Sequence, residues 1–187
     1  ALAVIRDQMK QTSRYLGLSS EALPSIAPEN SWITSLKAVT SAYLLVSKAL
    51  ADDKPEGAIK AAPALANTLS SLPDGDEKTA LKQAVSAFQK EKDVKALRRA
   101  FKPVSDSLIR LIRQHGLDHI GNVYVIHCPM ALKGQGADWL SADPQVRNPY
   151  FGDAMYDCGS VTDTLSLGKS TPKKMKSMKP GMDHSNH

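Results

Sequence analysis

Aromatic side chains are scarce. Two tryptophans, five tyrosines and three phenylalanines make up 5% of 187 residues. The core must therefore come mostly from Leu, Ala, Val and Ile, which favours helices over a sandwich of sheets. Cysteine is scarcer, with two in the chain, which allows one disulfide, one shared metal or two free thiols. No uninterrupted apolar run approaches the ~20 residues of a membrane span. A haem attachment motif C-x-x-C-H is absent, as are a glycine-rich phosphate loop after a strand and a prominent carboxylate pair. Nothing in the helical part reads as a catalytic constellation, so the expectation is a protein that is not an enzyme. No signal peptide is visible. The opening Ala1-Leu2-Ala3 is compatible with a mature chain after cleavage.

Charge of one sign is also scarce outside the C-terminus. The formal net charge is +5, and the segment from Gly168 onward, with five lysines and one aspartate, holds +4 of it. The remainder is nearly neutral, which argues against a nucleic-acid footprint. A basic tail can touch an anionic membrane or simply aid solubility, and the second is the plainer reading.

What the chain does have is helical periodicity. Hydrophobic residues at 42% and charged residues at 23% suit one globular core. Leu2, Ile5, Met9 and Leu16 are helically spaced over residues 2–16, before a Pro- and Ser-containing linker at 18–30. Residues 31–52 form the strongest helix, with Ser31 as cap and Ile33, Leu36, Val39, Tyr43, Val46 and Leu50 on one face. Trp32 reads as a buried anchor. A helix follows over 55–72, started by Pro55 and kinked or split at Pro63. The run Pro73-Asp74-Gly75-Asp76 marks a turn. Helices over 77–90 and 92–114 would bury Leu81, Ala84, Val85 and Phe88, then Val94, Leu97, Phe101, Val104, Leu108 and Ile112, with a bend at Pro103. Arg110, Arg113 and His115 suit the negative end of the last helix, and Gly116 suits its cap. Residues 122–127 read as a short strand. Beyond Pro129 the expectation is loop, with one helical turn and at most a short β-hairpin. A stretch of about thirty irregular residues inside a compact domain points to function or a cross-link.

That stretch concentrates soft donors. Both cysteines lie in it thirty residues apart, with Met130, Met155 and His127. In an extended run Cys128 and Met130 would face one point, and in a helical turn Met155 and Cys158 would do the same. Thiolates with thioethers favour Cu(I) or Ag(I), whereas zinc takes Cys and His and rarely Met. His127 would point away from Cys128 in a strand and could join only if the backbone turned at Cys128–Pro129. Bland readings stand beside these. A Cys128–Cys158 disulfide would stabilise by roughly 3–4 kcal/mol, and the two methionines can be packing residues. Trp139, Tyr150 and Phe151 read as a small core under the loops, and Asn148-Pro149 as a turn. His119 is no more than a helix-exit residue. The tail's Met175, Met178, Met182, His184 and His187 read as a disordered basic tail able to capture copper weakly.

The run HCPMALKGQGADWLS followed by VRNPYFGDAMYDCG resembles a small domain of bacterial envelope proteins. That domain is of unknown function and occurs alone or at the C-terminal end of periplasmic adaptor subunits of copper/silver efflux pumps. The matching elements are Cys128-Pro129-Met130, Gly136 through Ser141, Asn148 through Gly152, Met155 and Cys158-Gly159. Helical runs LKAVTSAYLLVSKALADD and LRRAFKPVSDSLIRLI belong to the same likeness, which spans about residues 31–161. It implies a periplasmic protein of heavy-metal resistance, and because these residues include no adaptor hairpin or lipoyl-like domain the expectation is the free-standing form.

The sequence thus predicts a mainly α fold: an antiparallel bundle of about four helices with a loop-rich C-terminal segment. Its parts are residues 1–30 (helix and linker), 31–161 (bundle with the Cys/Met segment) and 162–187 (tail). The expected function is Cu(I) or Ag(I) binding by Cys128, Met130, Met155 and Cys158, with His127 as an additional ligand. Such a protein would act as copper carrier, buffer or resistance factor, with an efflux pump or another periplasmic copper protein as partner. Two other readings stay open: a disulfide-stapled interaction domain without metal, and a copper electron-transfer protein.

Overall fold

The structure, a computed structural model, describes residues 29–115 and 122–165. The expected helix at 2–16, the Gly116 cap, His119 and the tail from 166 lie outside the described residues. The fold is mainly α, with four long helices and a small antiparallel sheet. Helix α1 (Glu29–Ala51) begins two residues before the expected cap at Ser31, and α2 (Pro55–Thr68) runs on into a 3-10 turn at Leu69–Ser71. Helices α3 (Asp76–Lys90) and α4 (Val94–His115) follow. Connections of three residues fold α1 back on α2 and α3 back on α4.

The ends of these helices follow local chemistry. Lys54 N–H bonds the carbonyl of Ala49 and Asp53 N–H that of Leu50, a Schellman closure with Asp53 left-handed at φ 51°. Pro55 starts α2 where a missing N–H costs nothing. Asp93 accepts from Ala96 N–H and caps α4. The expected inward faces of α1, α3 and α4 are buried except at Ile33 and Val94, which are half-buried. Trp32 packs half-buried on the core's rim. Pro63 and Pro103 do not split their helices: each lies inside one, on the solvent side, where water can take the unpaired carbonyl.

The C-terminal part holds more sheet than expected. Strand β1 (Val123–Cys128) is central, flanked antiparallel by β2 (Ala137–Ser141) and β3 (Ser160–Leu165) in the order β2-β1-β3. β2 lacks a clean alternation because both its faces are covered, with Trp139 and Leu140 fully buried. β3 is a polar edge strand with a register shift opposite Val125/Ile126, and it crosses the 161/162 boundary drawn from composition.

Two tyrosines close the outer edge of β2. Leu140 N–H donates to Tyr43 Oη at 3.2 Å, and Tyr150 Oη donates to the Asp138 carbonyl at 2.8 Å. Both hydroxyls also meet buried Ser105 Oγ, at 2.7 and 3.3 Å. Burial pushes both phenols well above their ordinary range. Tyr43 stacks on Phe101, Phe101 meets Tyr150, and Tyr150 meets Trp139 edge-on, at ring separations of 5.1, 5.9 and 6.0 Å. This ladder fixes the sheet to the bundle.

Candidate soft-metal centre

Cys128 ends β1, fully buried. Cys158 follows a 3-10 turn at Gly152–Met155 and is half-buried. Both are free cysteines, and their sulfurs stand 3.0 Å apart. A disulfide needs about 2.05 Å. Two metal–sulfur bonds of about 2.3 Å at the ~120° angle of a three-sulfur shell would need about 4.0 Å. The pair therefore sits between the two states, about 1 Å from either. The Cys158 thiol is pushed above its ordinary range, first by the hydrogen bond with Cys128, then by burial, the Cys128 charge and nearby Asp157.

The local backbone places Cys158 without help from its thiol. Its N–H bonds the Met155 carbonyl at 3.2 Å, and its carbonyl accepts from Asn148 Nδ2 at 2.7 Å. Asn148 is fully buried and fully engaged. Its Oδ1 accepts from Tyr150 N–H, its N–H donates to the Tyr156 carbonyl, and its carbonyl accepts from Gly152 N–H. Gly159, at φ 141°, lies so close to β1 that a Cβ would stand 2.9 Å from the Trp139 ring and 3.0 Å from the His127 carbonyl. Ser160 then pairs with His127.

A second anchor ties the loop to the bundle. Arg98 donates to the carbonyls of Pro149 and Leu50 and pairs with Asp53 Oδ1 at 2.6 Å. The other carboxylate oxygen of Asp53 accepts from Asp153 N–H at 2.8 Å. That N–H, more than the guanidinium, holds the Asp53 carboxyl below its usual range. Gly152, at φ 60°, is required here, because a Cβ would run into Arg98 and Asp53.

The structure brings Cys128 and Cys158 together, and it links Met155 to Cys158 through the i to i+3 backbone bond. Met130 does not continue the strand: the chain turns at Pro129–Met130, so the extended-run argument for pairing it with Cys128 does not apply. Left-handed Leu132, Lys133 and Gly134 continue that turn. Met130 and Met155 are exposed, at 55% and 37%. His127 keeps its place in β1, opposite in direction to Cys128, and its Nδ1 lies 2.7 Å from Asp138 Oδ1 on β2. Among the described residues no three of His, Cys, Asp and Glu gather as a metal cage. Among the described residues the soft donors other than the two thiols are the exposed thioethers of Met130 and Met155.

The positioning roles of Asn148, Gly159 and Asp138, which the sequence offers only as parts of the motif, and of the Arg98–Asp53 pair are not legible in the sequence. Asn148-Pro149 carried a turn signal but no sign of a contact ten residues on. Arg98 and Asp53 are too far from the loop in sequence for any local pattern to join them. A groove of about 160 Å³ on the bundle, lined by Ile59, Pro63, Phe88, Gln89 and Lys92, is small beside the ~300–1,000 Å³ of ligand pockets. Among the described residues no helix is long and apolar enough to cross a membrane.

Fold and site together define a class: a helical bundle that braces a small antiparallel sheet carrying two adjacent thiols. Residues 39–119 match the model of a family described as a protein of unknown function (DUF3347). The match covers most of α1 and all of α2 to α4, and it ends before β1 and both cysteines. No curated protein and no solved structure matches the chain.

Proposed function

We propose that this chain binds a soft monovalent metal, Cu(I) or Ag(I), through the Cys128 and Cys158 thiolates, and acts as an extracytoplasmic carrier, buffer or resistance factor and not as a catalyst. The observation that carries the reading is the sulfur pair, 3.0 Å apart with one member half-buried at the surface. The borderline donors of a zinc cage are not gathered around it among the described residues, while Met130 and Met155 offer exposed thioethers close by in sequence. Met155, tied to Cys158 by the backbone turn, is the better placed third donor. His127, engaged with Asp138 on the other strand face, serves β1–β2 pairing in this reading. The periplasmic location and a heavy-metal efflux pump as recipient rest on the motif resemblance and are part of the proposal.

The test is an anaerobic Cu(I) titration of reduced protein against a competing chelator, with a Cys128→Ser/Cys158→Ser variant beside it. Stoichiometric competition by the wild type, lost in the variant, is expected. Equal competition by both would refute the site.

A second reading has its own observation. Full burial of Cys128 with its partner sulfur in contact also suits a disulfide-stapled interaction domain that binds no metal. Reduced protein that fails to compete for Cu(I) would favour it.

A further inference from the structure

We propose that Cys128 and Cys158 form a reversible thiol–disulfide exchange couple with fixed roles: Cys158 meets an incoming low-molecular-weight thiol or disulfide, and Cys128 resolves. The proposal rests on the same sulfur pair as the metal-binding reading but does not require metal to bind.

Three observations carry it. The first is asymmetry of access. Cys128 is fully buried at the end of the central strand, whereas Cys158 is half-buried at the rim of the sheet. An incoming sulfur reaches Cys158 and not Cys128, and although the Cys128 hydrogen bond holds the Cys158 thiol above its ordinary range and so slows its attack, access still selects Cys158 of the two. The second is contact. At 3.0 Å the sulfurs need about 1 Å of approach to reach bonding distance. The third is that the surroundings hold Cys158 in place without a cross-link. Asn148 and Met155 fix its backbone on one side, Ser160 pairs with His127 on the other, and Arg98 with Asp53 ties the loop to the bundle. Making or breaking the S–S bond therefore leaves the fold in place, which a switchable couple requires and a staple does not.

Each step balances. In oxidation, the Cys158 thiolate attacks one sulfur of a small disulfide. The S–S bond of that disulfide breaks, and one thiolate leaves and takes up a proton. The Cys128 thiolate then attacks the Cys158 sulfur of the mixed disulfide, expelling the second small thiol. The protein loses two electrons and two protons, and the small disulfide becomes two thiols. Reduction runs the same steps backwards, with the small thiolate attacking at Cys158 and Cys128 leaving. Only the reduced pair offers thiolates to a soft metal, so the couple would gate uptake.

The experiment uses the full metal-free chain with glutathione as probe. Reduced protein is incubated with oxidised glutathione, quenched in acid and mapped by mass spectrometry, and the product is then returned to reduced glutathione without denaturant. We expect an intramolecular Cys128–Cys158 disulfide that reverses under native conditions with an unchanged far-ultraviolet circular dichroism spectrum. We also expect Cys128→Ser to collect glutathione on Cys158 at least about tenfold faster than Cys158→Ser collects it on Cys128. Should either variant fail to fold, partial alkylation of reduced wild type reads the same order, with label at Cys158 exceeding label at Cys128. A disulfide that glutathione reduces only in denaturant, thiols that never pair, or adducts that favour Cys128 would each overturn the proposal. The copper competition assay on the same preparation reads the metal claim separately, so failure of one leaves the other standing.

Discussion

Replacing Asn148 by Ala would leave the Cys158 carbonyl and Tyr150 N–H, both beneath the loop, without their partners. A buried orphaned group such as Tyr150 N–H costs roughly 1–3 kcal/mol and the part-buried Cys158 carbonyl less, so Asn148→Ala should lower unfolding free energy by about 2–4 kcal/mol. Chemical denaturation measures it, and a loss below about 0.5 kcal/mol would mean that the loop is held elsewhere. The residue scale is where sequence reading was least complete. The cysteines and methionines were legible because their chemistry travels with the residue type. Their geometry was legible where it follows from a backbone period, as for Met155 and Cys158 in one turn, or for His127 pointing away from Cys128 in a strand. It failed for Met130, because whether a strand continues past Pro129 is decided by pairing with β2, and β2 starts only at Ala137. Asn148 and Gly159 were illegible as positioning residues because their work is done on atoms brought near by the sheet.

Among elements, the helices were the legible ones. Apolar residues at spacings of three and four, Pro55 at a first turn and the Pro73–Asp76 turn set the starts of the four helices to within about two residues, while α2 ends four residues before 72 because the chain tightens to a 3-10 turn at Leu69–Ser71. Pro63 does not split its helix, since a proline on the solvent side of an otherwise well-packed helix removes one bond without ending the element. Strands β2 and β3 were hidden for opposite reasons: one is covered on both faces and does not alternate, and the other is a mostly polar edge. The clamp between the α1–α2 corner and the 149–153 loop makes an acid-sensitive joint. The Asp53 carboxyl titrates below its ordinary value, about 3.9 in an unfolded chain, because Asp153 N–H and Arg98 favour its charged form. Its contribution to stability is thus present above the unfolded value and drains away as pH falls through the lower, folded one. Asp53→Asn should reduce stability at neutral pH and flatten the acid limb of the stability–pH curve below about pH 4, measured by urea midpoints at several pH values. An unchanged acid limb would assign that limb to other carboxylates.

For the whole molecule, the bundle acts as a brace. The ladder from Tyr43 through Phe101 and Tyr150 to Trp139, together with the Ser105 hydrogen bonds, holds the sheet against α1 and α4. Such a brace holds the strand that ends at Cys128, so little of the ordering cost of binding falls on that strand. The family match covers the helices of this brace from Val39 onward and stops short of the sheet. X-ray absorption at the copper edge of Cu(I)-loaded, washed protein tests the central claim most directly, because it counts the atoms around the metal. The account predicts about one copper per chain in an all-sulfur shell of two or three neighbours, reduced by one in Met155→Leu if three, and abolished with the copper itself in Cys128→Ser/Cys158→Ser. A shell dominated by nitrogen or oxygen, or copper retained unchanged without the two thiols, would contradict it.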